Sequence, residues 1–212
     1  MEAVLQFFRR NRLAYQGLSV LLLVLVISAV GLLGYPVYTN FEQGRIQDKK
    51  SKEFKTDALK QKYEDRQIQE GDPLTRIKIQ KIGVDVVVVQ GTTPAALKAG
   101  AGHYLGTPLP CEMGNVAIAG HRTTYGKPFN QLDRLAPGDK ITLVTPVGSC
   151  DYVVTDRGNG SPNPFTVDPS NLQIVGNTPG ERNLTLTTCH PKGSAKQRLV
   201  IRAHLVSGAQ DA

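Results

Sequence analysis

From residue 13 to residue 34 the chain reads LAYQGLSVLLLVLVISAVGLLG, 22 residues without a formal charge. At about 1.5 Å rise per residue, a helix of that length crosses a hydrocarbon layer of roughly 30 Å. A buried core helix is seldom apolar on every face. A secretory leader has a shorter apolar stretch, about 7–15 residues, that ends at a small-residue cleavage site. No such site follows here. Residues 13–34 therefore read as a retained transmembrane anchor. Arg9, Arg10 and Arg12 precede it, which keeps residues 1–12 cytoplasmic and places everything after Tyr38 outside the membrane.

Residues 35–73 read as a charged stalk or linker. Within them, 41–70 carry eight positive and seven negative side chains with few apolar positions. That composition suits a solvated helix or a partly disordered tether, and not a packed core. EGDP closes the segment as a turn, so a folded domain is expected over 74–206, with 207–212 as a tail. The net charge of +7 is spread along the chain, and no segment is dense in one sign. Nucleic-acid binding is excluded as the main role, although weak attraction to an anionic surface remains open.

After Leu74 the signals are mostly strands. TRIKIQKIGVDVVVVQG offers Ile77, Ile79 and the valine run 86–89, split near Gly83. GNVAIAGH is short and apolar, and DKITLVTPVGSCDYVV forms a hairpin turning at 146–148. NLTLTTC and RLVIRAHLV are the last two strands. Only short helices are expected, near 94–99 and 169–172. Several short strands separated by Gly and Pro turns imply a mainly β fold, a closed barrel or sandwich.

Strand parity sharpens this. Val116 and Ile118 share one face of their strand, while Ala117, Ala119 and His121 share the other. Leu184 and Leu186 oppose Thr185, Thr187 and Cys189. Leu199, Ile201, Ala203 and Leu205 oppose Arg198, Val200, Arg202 and His204. If the large aliphatic faces fill the interior, Cys189, His121 and Arg198 all project outward over a floor of alanine and threonine. Only residues 190–197 separate Cys189 from Arg198, a loop short enough to return to a neighbouring strand about 4.8 Å away. A thiolate, an imidazole and an always-charged guanidinium suit nucleophilic acyl transfer. The sulfur attacks a carbonyl, the imidazole handles the proton, and the guanidinium meets the oxyanion. The local sequence holds no carboxylate to orient His121.

TLTTC followed nine residues on by the arginine of RLVIRA, together with AGHRTTYG upstream, resembles the sortase family of cysteine transpeptidases. GHYLGT, GNVAIAGHRTTYGKPF and LTLTTCHP are similar to its actinobacterial class E branch. The likeness covers residues 74–206, and the preceding anchor fits it. It implies an eight-stranded sortase-type β-barrel with short helices, Cys189 as nucleophile, His121 as acid/base and Arg198 as substrate or oxyanion stabiliser. Sortases cut the C-terminal sorting signal of a surface protein after threonine and form a thioester. An amine of cell-wall precursor or of another pilin then resolves it. The class E likeness implies a Leu-Ala-x-Thr-Gly signal in place of Leu-Pro-x-Thr-Gly, and Tyr125 with Thr124, Thr187 and Thr188 would line the substrate groove. No cofactor is implied.

Other readings stand beside these. Arg202 lies four residues beyond Arg198, about 13 Å along the strand, and His204 about 20 Å, both too far from the thiol. His190 turns to the opposite face if the strand continues, and His103 holds a turn. Cys111 and Cys150 either form a disulfide, in an oxidising exterior, or remain separate thiols. A metal held by Cys189, His103, Cys111 and His121 has none of the usual ligand spacings, and the acidic residues form no calcium cage. The rival enzymatic reading is a membrane-attached cysteine endopeptidase that releases proteins by hydrolysis with the same residues.

Overall fold

In a computed structural model of the chain, residues 12–156 and 163–208 are described. Arg9 and Arg10, invoked for orientation, and the tail from 209 lie outside the described residues. The chain divides into two compact units, Met1–Tyr38 and Thr39–Ala212. Helix α1 (Arg12–Glu53) supplies the first unit up to Tyr38, and its apolar side chains are exposed along that length. It is the one described helix long and apolar enough to cross a membrane, which is consistent with a single-pass anchor.

The second unit is a barrel of β1 (Pro73–Ile79), β2 (Val84–Gln90), β3 (Ala101–His103), β4 (Gly114–Gly120), β5 (Lys140–Thr145), β6 (Gly148–Val154), β8 (Arg182–His190) and β9 (Gln197–Gly208). These eight run β6-β5-β1-β2-β3-β4-β8-β9, and a β6–β9 pairing closes the ring. A ninth strand, β7 (Phe165–Val167), pairs with the start of β9. Helices are short, as expected: α2 (Asp57–Glu64) and α3 (Pro94–Leu97). A 3-10 turn at Leu172–Val175 takes the place of the helix expected at 169–172. Three-residue β3 and β7 carry too little period to be seen in sequence.

The interior is filled as parity required. Val116, Ile118, Leu184, Leu186, Leu199, Ile201 and Ala203 all join one buried cluster. The valine run of β2 is explained by cover on both faces. Val84 and Val88 face the interior, while Val89 packs with Ala96, Ala99 and Ile46 of α1 on the outside.

That contact corrects the stalk. The folded unit begins at Thr39, well before the expected boundary at Leu74. Thr39 and Gln43 are buried, as are Leu59 and Tyr63 of α2. The Gln47 amide accepts from the Val87 N–H at 2.8 Å and donates to the Val87 carbonyl at 2.8 Å. It thereby satisfies a stretch of β2 edge that β3 does not reach, because β3 pairs only with Val89 and Gln90. Docking through amides leaves no hydrophobic stripe, so charge patterning mistook this segment for solvated helix.

Cys111 and Cys150 are joined in a disulfide, with Cα atoms 5.7 Å apart, which resolves the alternative left open above. Cys150 is in the core of β6, and the bridge ties the β3–β4 loop to it.

Candidate active site

Cys189 stands at the end of β8 and Arg198 at the start of β9. The antiparallel register makes them direct cross-strand partners. Arg198 Nη1 lies 3.8 Å from Cys189 Sγ, and the same nitrogen donates to the carbonyls of Ala195 at 3.2 Å and Gln197 at 3.3 Å. The guanidinium is thus held by the loop backbone while it faces the sulfur. On the other side of β8 runs β4, parallel, with Ala119 opposite Thr187. Two residues further along each strand stand His121 and Cys189, at the same end of the sheet. All three side chains are half-buried, and none enters the barrel interior.

Several contacts fix His121. Its N–H donates to the Gly100 carbonyl at 3.0 Å, and its carbonyl accepts from Phe129 N–H at 3.1 Å. Gly120 is required just before it, because a Cβ there would sit 2.4 Å from the Phe129 ring. The ring of His121 lies 5.0 Å from that of Tyr125, tilted by 34°, and Thr124 Oγ1 is 3.5 Å from its Nδ1. Among the described residues, a hydroxyl and an aromatic face orient this imidazole. Burial lowers its pKa below the usual histidine value. At neutral pH it is therefore mainly the neutral base, able to accept a thiol proton.

Tyr125 and Thr124, expected to line the groove, both lie against His121. Thr187 and Thr188 are 1% and 3% exposed. Thr187 Oγ1 hydrogen-bonds Tyr104 OH at 3.0 Å, and Thr188 Oγ1 donates to the Gly120 carbonyl at 2.7 Å. Both hydroxyls are already engaged, and Thr188 has the parity of the core face. In the fold these two threonines form the floor and the join between β4 and β8.

The metal reading loses its ligands. Cys111 is in the disulfide, and His103 is fully buried with its ring nitrogens 2.8 Å from Gln90 Oε1 and 2.9 Å from the Pro108 carbonyl. Arg202, as expected, is remote from the thiol; its Nη1 bonds Thr185 Oγ1 at 2.6 Å.

One residue escaped the sequence. Arg122 is 4% exposed, and its Nη1 donates to the Cys189 carbonyl at 3.2 Å and to His190 Nδ1 at 2.8 Å. Its Nη2 meets Asp133 at 3.1 Å. Parity offered no hint, because β4 ends at Gly120 and the side chain turns at the loop.

The family model for the sortase domain matches residues 77–206. Sortase SrtE1 of Streptomyces coelicolor is 31% identical over 150 residues, which are 64% of this chain and 41% of that protein. Sortase D of Bacillus subtilis is 30% identical over 128 residues, 59% of this chain and 60% of that protein; both relatives are thus spanned over less than two thirds of their length. Among solved structures, a Clostridium perfringens sortase D5 transpeptidase superposes with a TM-score of 0.65 at 28% identity, covering 78% of this chain and 99% of that one. Sortase E from Streptomyces avermitilis gives 0.58 at 34% identity, over 66% and 92%.

Proposed function

Because this chain belongs to the sortase family, and among its branches is most like class E, we propose that it is a membrane-anchored cysteine transpeptidase acting on sorting-signal-bearing surface proteins or pilins. The observation that carries this reading is the 3.8 Å approach of the Arg198 guanidinium to Cys189 Sγ, on the rim that also bears His121.

The chemistry runs in two transfers. Cys189 Sγ attacks the carbonyl carbon of the signal's threonine while His121 takes the thiol proton. Arg198, always charged and fixed by two backbone carbonyls, donates to the oxyanion. The C–N bond breaks, and the imidazolium passes its proton to the departing amine, leaving a thioester. An incoming amine then gives a proton to His121, attacks the thioester and restores the thiol. The signal is a Leu-Ala-x-Thr-Gly or Leu-Pro-x-Thr-Gly type peptide, and the amine comes from cell-wall precursor or a pilin subunit. Helix α1 holds the enzyme at the cell membrane with its N-terminus cytoplasmic and the barrel outside. Tyr125 and Thr124 serve the reaction by orienting His121.

Peptide cleavage with and without an added amine tests this. Amine incorporation lost in Cys189→Ala is the expected result. Cleavage without incorporation under any condition supports the hydrolase instead, and cleavage that survives Cys189→Ala refutes both.

A further inference from the structure

Arg122 presents a problem of energetics. Its side chain is 3% exposed, and among the described residues its Nε–H has no hydrogen-bond partner. Taking a charge out of water costs several kcal/mol, which a partly solvated partner such as Asp133, 44% exposed, offsets only in part. A well-packed apolar side chain of similar length would hold the fold as well. Its Nη1 is nevertheless aimed at one place, the backbone of the nucleophile and the ring beside it.

We infer that Arg122 is a positioning residue for thioester formation: it clamps the Cys189 carbonyl and sets a second fixed positive charge beside the nucleophile. This rests on Cys189 being the nucleophile. By bond geometry a cysteine sulfur lies within about 5 Å of its own carbonyl oxygen. The guanidinium touching that oxygen therefore acts on the sulfur through protein rather than water, where a charge stabilises the thiolate more strongly.

Other charges share the neighbourhood. Arg198 faces the sulfur from β9, and His121 stands at the end of β4. Lys192 reaches Asn130 Oδ1 at 3.4 Å, and Asn130 in turn donates to the Arg122 carbonyl at 2.8 Å. Asp133 opposes Arg122 from the 3-10 turn Leu132–Arg134. His190 accepts from Arg122 through Nδ1 at 2.8 Å.

With Cys111 and Cys150 bonded, Cys189 is the only free thiol, and alkylation by neutral iodoacetamide reads it alone. The full chain in detergent is alkylated across pH 7–10 as wild type, Arg122→Met, Arg122→Lys and Asp133→Asn, with Cys189→Ala as the labelling control. Arg122→Met should alkylate roughly tenfold more slowly at pH 7–8. Arg122→Lys should fall between it and wild type, because the charge remains but the fork is lost. Asp133→Asn, which keeps the arginine and removes an exposed carboxylate, should alkylate faster. Coincident profiles for Arg122→Met and wild type overturn the inference even if melting temperature falls, and so does a lysine variant that matches methionine. Turnover surviving in Cys189→Ala would instead remove the nucleophile reading, while the alkylation profiles still decide the arginine.

Discussion

His103 should make this domain acid-sensitive. It is fully buried, and burial pushes its pKa down to about 4 from an ordinary 6.5, the hydrogen bond to the Pro108 carbonyl opposing this only in part. A depressed histidine pKa means that the folded state holds the neutral ring while the unfolded chain protonates near pH 6.5. The stabilising contribution is thus complete above pH 6.5 and is lost as pH falls towards 4. Over a window of ~2.5 pH units at about 1.4 kcal/mol each, the loss is about 3 kcal/mol. Other groups, carboxylates among them, also titrate as the pH falls, so the quantity to measure is a difference. Urea unfolding of residues 39–212 at pH 7.5, 6, 5 and 4 is compared between wild type and His103→Gln, which keeps hydrogen-bonding groups and cannot protonate. The variant should be less stable at pH 7.5, and the gap should close by about 3 kcal/mol at pH 4. A gap that stays constant over that range refutes the assigned burial cost. The consequence reaches the site, because the next residue, Tyr104, carries the hydroxyl bonded to Thr187 in its floor.

The other predictions concern the catalytic pair, the bridge and the helix. Arg198→Ala should lower thioester formation about 10²–10³-fold with little change in melting temperature, and lysine should restore only part of it; near-normal turnover in the alanine variant would remove the oxyanion role. Replacing both Cys111 and Cys150 by serine should destabilise the domain by about 4 kcal/mol in the chain-entropy model, for a separation of 39 residues; urea midpoints unchanged by the replacement would contradict it. A fragment starting at residue 54 should unfold at lower urea and turn over peptide more slowly than one starting at 39, since it lacks Gln47 on β2 and Asn40, whose Oδ1 accepts from Gly126 N–H at 2.9 Å in the His121 loop. Equal activity and stability of the two fragments would show that the helix only tethers.

What could be read in the sequence was whatever obeys a period. Alternation in β4, β8 and β9 assigned the core face correctly, because each of these strands packs aliphatic side chains on the inside. What escaped was held by single, specific hydrogen bonds. Gln43 and Gln47 look like solvated helix residues, yet both donate to the Ala99 carbonyl, at 3.2 and 2.7 Å. Arg122 looks like any loop arginine until its burial is known. Thr187 and Thr188 look like an open polar floor, and only the positions of Tyr104 and Gly120 show their hydroxyls to be engaged. Amide and hydroxyl bonds of this kind leave no mark on hydropathy, since the side chain's polarity is the same whether its partner is water or backbone.

The same division explains how the site is held. Cys189 lies on β8, paired directly with Arg198 of β9, so that partner is set by the register of the ladder and not by loop conformation. Because side chains alternate with period two, a slip of one residue in β8 would turn the thiol into the aliphatic interior, and a slip in β9 would bring Leu199 to the place of Arg198. The interior prevents both, since either would turn its leucines and isoleucines outward. The barrel core therefore specifies where sulfur and guanidinium meet. The loop after Gly120, braced by Asn40 and carrying His121 and Arg122, is the part that must be fixed by individual polar contacts. Substitutions that disturb the reaction without loosening the fold should concentrate in that loop.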